Sequence, residues 1–310
     1  KSKETLVAVE DLKSIYIELN QVEELSKFMR QQGIDYQKNE LDSLTYIAAE
    51  RIYMTAGDAT PLKNYTAQYP QGAYTSTAYY YMGNVADAEQ KYDEALECYM
   101  SSLQADPHGN FAEEALARSG DILYDMEQYQ RAATQYTQLE QKTATSELRQ
   151  NAALGALRCY VRLQQHNEVI DVANRILAQN KVSPEVEHEV RYYRAQSYRA
   201  EGNVDNALSE YAFLAQDTRT PYGAEAAYLL AQYHFDNNHI EEAEKAANDF
   251  VQKGTQHAYW LARNFILLAD IYASKNDSYT ARQYLLQLRD NYPGNNDDIN
   301  AIIEKRLENL

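Results

Sequence analysis

The feature that most constrains this chain is a small residue that returns at nearly one period. It stands at Ala95, Ala132, Val169, Ala207, Ala243 and Ala281, in steps of 37, 37, 38, 36 and 38 residues. Four residues after it come Tyr99, Tyr136, Ala173, Tyr211, Ala247 and Leu285, and twelve before it Gly83, Gly120, Leu157, Ala195, Ala231 and Ala269. A period of a few tens of residues means a stack of like units, each unable to bury its apolar face alone. Each unit reads as two helices, A and B. Gly83 lets helix A approach its neighbour closely, Ala95 does the same for helix B, and Tyr99 lies one turn further along the same face. Pro107 cannot continue a helix and closes the unit. Gly202, Asn238 and Asn276 stand at equivalent places between A and B, and these residue types tolerate the left-handed conformation that ends a helix.

Composition agrees. Only 6 Pro and 11 Gly in 310 residues leave room for long helices with short connections. Tyr is used 28 times, against 6 Phe and 1 Trp. A tyrosine packs as an aromatic and still offers a hydroxyl, which suits thin layers whose core is never far from water. With 46 acidic and 29 basic residues the formal charge is −17, which repels phosphate and sets nucleic acid and anionic membrane aside as partners. No run approaches the roughly 20 apolar residues of a membrane span, so this fragment is not expected to insert directly. Cys98 and Cys159 fall 61 residues apart in different repeats, so no bond between them is expected. The chain lacks an initiating Met and a leader, and any targeting segment is expected to lie outside it.

The clearest unit is AYYYMGNVADAEQKYDEALECYMSSLQADP, residues 78–107. Its Tyr79, Met82-Gly83, Ala86, Ala95, Tyr99 and Pro107 resemble the tetratricopeptide-repeat pattern across both helices. The resemblance implies an all-α, right-handed α-solenoid: six repeats over 71–296, degenerate hairpins over 1–70 (4–31 and 41–69), and a capping helix at 297–310. The whole of 1–310 reads as one array. The repeats are longer than the family's usual period of about 34 residues, with the extra residues in KTATSELRQ, NKVSPEVEHE and DTRTPYGAE. Arg191 and Arg194 stand where apolar residues are expected. A second likeness lies in QYPQGAYTSTAYYYMGN (68–84), echoed by DNYPGN at 290–295. Tyr-Pro closing one hairpin, then Gly and Tyr before the next helix, is similar to repeats of bacterial envelope-assembly proteins, among them the BamD and Tol-Pal coordinator families and large repeat proteins of Bacteroidetes. That likeness implies a periplasmic or outer-membrane-associated location.

Catalytic and metal motifs are missing. His108, His166, His188, His234, His239 and His257 come without HExxH or CxxC company, and there is no GxGxxG, GxxxxGK[ST] or GxSxG. No metal, no cofactor and no enzymatic activity are expected. The lone Trp260 reads as a loop-packing anchor, with a binding hot spot as the alternative. The family resemblance implies a concave groove lined by the helix A residues one, five and eight after the aromatic. The predicted partner-binding residues are Tyr80 and Asn84, then Tyr124, then Tyr192 and Gln196, then Tyr228, Gln232 and Phe235, with Asp87, Asp121 and Arg199 beside them. Tyr80 stands where the family's carboxylate clamp needs Lys, so that clamp is rejected. An amide side chain can bond both the N–H and the C=O of a passing backbone, and a flanking tyrosine can cover a side chain. The expected partner is therefore a protein or peptide held by a scaffold, and none of these positions is expected to be needed by the hairpin core. The second reading is a carbohydrate-binding module, since Tyr faces also stack on sugars.

Overall fold

The computed structural model describes residues 3–294 and 296–310, with side chains from Val7 onward; Asn295, the last residue of the 290–295 motif, lies outside them. Among the described residues there are 17 helices and no strand. In order they are α1 (Lys3–Glu18), α2 (Val22–Gln31), α3 (Lys38–Ala56), α4 (Thr60–Gln68), α5 (Thr75–Ala88), α6 (Tyr92–Ala105), α7 (Ala112–Asp125), α8 (Tyr129–Lys142), α9 (Ser146–Arg162), α10 (His166–Leu177), α11 (Pro184–Ala200), α12 (Val204–Leu214), α13 (Pro221–Asp236), α14 (Ile240–Lys253), α15 (Ala258–Ser274), α16 (Ser278–Asn291) and α17 (Ile299–Glu308). The chain is an α-solenoid of helical hairpins. It divides into two compact units, Lys1–Cys159 and Tyr160–Leu310, with the boundary inside α9.

One local device sets the hairpin period. Asn20, Gly57, Gln90, Glu127, Gln164, Gly202, Asn238 and Asn276 each end a helix A with φ between 52° and 75°. In most of them the next N–H closes back on a carbonyl five residues earlier: Lys91 to Ala86 and Asn203 to Tyr198 at 2.8 Å, Asp277 to Tyr272 at 3.0 Å. This is the capping geometry that satisfies the last carbonyls of a helix. Gln90, Glu127 and Gln164 adopt it without a residue type that favours it, so these three stops carry no signature in the sequence.

In the first unit the large and small core positions interlock. Tyr99 is fully buried, and a Cβ on Gly83 would sit 2.7 Å from its ring. Tyr136 lies between Gly120 and Gly155, where added Cβ atoms would come within 2.8 and 2.9 Å of it. The Tyr-Pro connection is braced by buried Asp42, which accepts the Tyr65 hydroxyl at 2.5 Å and the Ala73 N–H at 2.8 Å. A side chain at Gly72 would meet that hydroxyl at 2.5 Å, which is why glycine follows the Tyr-Pro pair. Cys98 and Cys159 are both buried and free.

In the second unit, Arg191 and Arg194 replace apolar residues by converging on one carboxylate. Arg191 donates to Glu210 at 3.1 Å, and Arg194 pairs with the other oxygen of the same group. Arg191 also covers the Phe213 ring at 3.9 Å, and Arg194 donates to Asn174 at 2.8 Å. Glu210 is nearly buried, so each charge is matched where an apolar contact would otherwise stand. At the C-terminal end, Ile299 and Ile303 of α17 cover Ala262, Ile266, Ala269, Ala281 and Leu285. Arg306 fastens the same helix to Asp270 at 2.9 Å. The capping helix expected at 297–310 is this element.

Candidate functional site

The predicted groove residues lie on successive A helices. In the first unit Tyr80 and Asn84 are on α5 and Tyr124 is on α7. All three are half-buried. Tyr80 stacks flat on Phe111, centroids 4.4 Å apart and planes within 4°. Asn84 accepts the hydroxyl of Tyr99 at 2.9 Å, and Asp121 accepts that of Tyr136 at 2.8 Å. Both pairs are 15 residues apart, so each hairpin uses its own core tyrosine to hold the polar residue at the predicted groove position. Arg118 ties the two layers together through Asp87 at 2.6 Å and Asp121 at 3.3 Å. Tyr124 stands edge-on to Tyr129 at 5.2 Å.

The second unit repeats the aromatic rung twice. Tyr192 on α11 lies 4.8 Å from Tyr222, and its hydroxyl donates to Glu225 at 3.0 Å. Burial pushes the Glu225 carboxyl above the usual carboxylate range, and the Tyr192 hydroxyl partly offsets this. Tyr228 on α13 lies 5.6 Å from Trp260; its hydroxyl donates to Gln232 at 2.9 Å and accepts from Arg263 at 3.0 Å. Gln232 in turn donates to Asp236 at 2.7 Å. Gln196 and Phe235 are half-buried on the same two helices.

One expectation is corrected here. Tyr228 is 5 % exposed and belongs to the core of this unit, so it is not a residue the packing can spare. The cause is an aromatic at the start of the next A helix. Phe111, Tyr222 and Trp260 each stand 16 residues before a left-handed stop (Glu127, Asn238 and Asn276), and each falls on the predicted groove aromatic of the preceding layer. Trp260 is a packing anchor in this sense. Sequence reasoning named neither Phe111 nor Tyr222, although their shared register was readable. Nor did it find Arg118, Glu225 or Arg263, for which no periodic signal exists.

Among the described residues, no group of three or more His, Cys, Asp or Glu side chains is arranged to hold a metal. His234 and His239 face each other across the turn after α13, with ring centroids 6.1 Å apart. No helix among the described residues is long and apolar enough to cross a membrane.

The fold and the stacked A-helix strips define a helical-repeat protein of the kind that serves as a scaffold for protein interaction. Sequence models described as Tetratricopeptide repeat match residues 76–108 in the first unit and 187–258 in the second. The chain carries tetratricopeptide repeats. A search of curated proteins finds no match. Among solved structures, "Structure of Naa15/Naa10 bound to HypK-THB" is similar at 13% identity over 92% of this chain and 46% of that one, with a TM-score of 0.53. A tetratricopeptide repeat protein from Parabacteroides merdae is 17% identical over 86% of this chain and 96% of its own (TM-score 0.39). PilW, described as a type IV pilus biogenesis factor, is 17% identical over 75% and 98% (TM-score 0.43). The first of these shows a shared fold and says nothing of the partner.

Proposed function

We propose that this chain is a non-catalytic scaffold of the bacterial cell envelope, and that the second unit takes an extended segment of a partner protein along α11 and α13. The observation that carries the reading is a pair of amides one repeat apart, Gln196 and Gln232, each set one turn beyond a packed tyrosine. Gln232 is held at both ends, its oxygen by Tyr228 and its nitrogen on Asp236. That leaves one N–H and one lone pair in a fixed orientation, which matches what a passing backbone offers. Tyr192 and Tyr228 are then the floor of the strip, and Gln196, Arg199, Gln232 and Phe235 its contacts. Tetratricopeptide repeats commonly bind protein segments, which supports the partner class. The envelope assignment rests on the likeness of residues 68–84 to envelope-assembly repeats.

The carbohydrate reading is disfavoured. A sugar needs an open ring face, and Tyr80, Tyr192 and Tyr228 are each packed against an aromatic of the following layer. The test is a photo-crosslinking amino acid at Arg199 in cells, with the captured chain identified by mass spectrometry. A single envelope protein should be captured, and the double substitution Gln196→Ala with Gln232→Ala should abolish the crosslink without lowering the melting temperature. Capture unaffected by that substitution refutes the strip, and binding on a glycan array with no protein crosslink restores the sugar reading.

A further inference from the structure

Helices α8 and α14 both end on lysine, and the two lysines act alike. Lys142 donates its Nζ to the carbonyl of Pro107 at 2.6 Å, and Lys253 donates to that of Ala215 at 2.8 Å. In each case the last residue of a B helix reaches back to the chain that leaves the preceding B helix, and its ammonium stitches the two layers together.

Helix α6, like α10 (Leu177), α12 (Leu214) and α16 (Asn291), does not end on lysine. Its last residue is Ala105, 37 residues before Lys142, while Pro70 stands 37 residues before Pro107. The connection at 70–73 therefore receives no ammonium from Ala105, and a cleft of about 550 Å³ lies in that place. Pro70, Gly72, Tyr79, Ser101, Ala105 and Asp106 are among its walls. The next residue also changes, from Thr143 after Lys142 to Asp106 after Ala105, which adds an exposed carboxylate at the mouth. One oxygen of Asp106 accepts the His108 N–H at 2.9 Å, which orients the group. The cleft thus lacks the cation found at the equivalent place one layer on, and holds an extra negative charge.

We propose that this cleft takes a lysine side chain from a partner protein. The alkyl stem lies along Tyr79 and Ala105, and the ammonium meets the carbonyl of the 70–73 connection and the Asp106 carboxylate. A charge-assisted bond of this kind is stronger than a neutral one, and the net charge of −17 draws a cationic segment toward the surface. The site is on the connection edge of the first unit and does not depend on the groove in the second.

The experiment titrates the full chain with the capped tripeptide acetyl-Gly-Lys-Gly-amide and follows the backbone amides of Gly72, Ala73 and Ser76 by TROSY NMR. The same peptide with norleucine in place of lysine is the control. The lysine peptide should give saturable shifts at these amides and the norleucine peptide none. Ala105→Lys supplies the missing ammonium within the chain; it should weaken peptide binding about tenfold or more and raise the melting temperature. Asp106→Asn keeps the acceptor for His108 and should weaken binding with the fold unchanged. Equal shifts from the norleucine peptide overturn the proposal, as does undiminished binding to a folded Ala105→Lys variant. Should that variant melt early, unchanged affinity in Asp106→Asn overturns it instead.

Discussion

Gly83→Ala tests the interlock that packs helix A against helix B. The new Cβ would stand 2.7 and 2.8 Å from Cε1 and Cδ1 of Tyr99. That ring is 0 % exposed, and its hydroxyl is tied to Asn84 at 2.9 Å, so it cannot retreat without giving up a hydrogen bond. Overpacking a filled core costs about 1–3 kcal/mol, and a pinned, fully buried ring belongs at the upper end. Alanine regains about 1 kcal/mol over glycine in a helix. The net loss should be about 2 kcal/mol, a fall in melting temperature of about 4–8 °C. The last repeat carries the alternative solution, Ala269 with Leu285, both buried. Transplanting it gives a cycle: Gly83→Ala, Tyr99→Leu, and the pair together, each measured by urea unfolding with circular dichroism. In the Tyr99→Leu background the Gly83→Ala step should become neutral or stabilising, a coupling of about 2–3 kcal/mol. If Gly83→Ala costs the same in both backgrounds, the ring is not what demands glycine and the reasoning fails.

Three further outcomes are expected. Tyr228→Ala should cost about 3 kcal/mol by thermal melt because it empties a core site, whereas Gln196→Ala with Gln232→Ala should change stability by less than about 0.5 kcal/mol; equal costs would erase the distinction between floor and contact. Glu210→Gln should cost about 3 kcal/mol in urea unfolding, since it strips the counter-charge from Arg194 and leaves Arg191 only Glu187 at 2.9 Å, and a loss below about 1 kcal/mol would show the triad is inert. Burial pushes the thiols of Cys98 up to about 11 and Cys159 up to about 12, so at pH 8 an aromatic disulfide reagent should react slowly with the folded protein and release two equivalents on unfolding, with fast native labelling as the contrary result.

The hairpin array was legible because its signals are local and periodic. Every residue of the Ala95 series is buried, as are Gly83, Gly120 and their later equivalents, since a helix packed on its neighbours must keep one face small and apolar at a set spacing. The left-handed stops at Gly202, Asn238 and Asn276 were readable for the same reason, and those at Gln90, Glu127 and Gln164 were not, because hydrogen bonding to the preceding turn imposes φ there whatever the side chain prefers.

What the sequence by itself determined is the all-helical repeat and the helix on which each candidate residue sits. Only the tertiary structure decided which of those residues are available. Whether a tyrosine at a predicted groove position faces solvent depends on the first aromatic of the following layer, as Trp260 does for Tyr228, and two layer edges, at Pro107 and Ala215, are closed by a lysine 35 or 38 residues away reaching the carbonyl. Those contacts join residues a full repeat apart, so their consequences appear only when the layers are stacked.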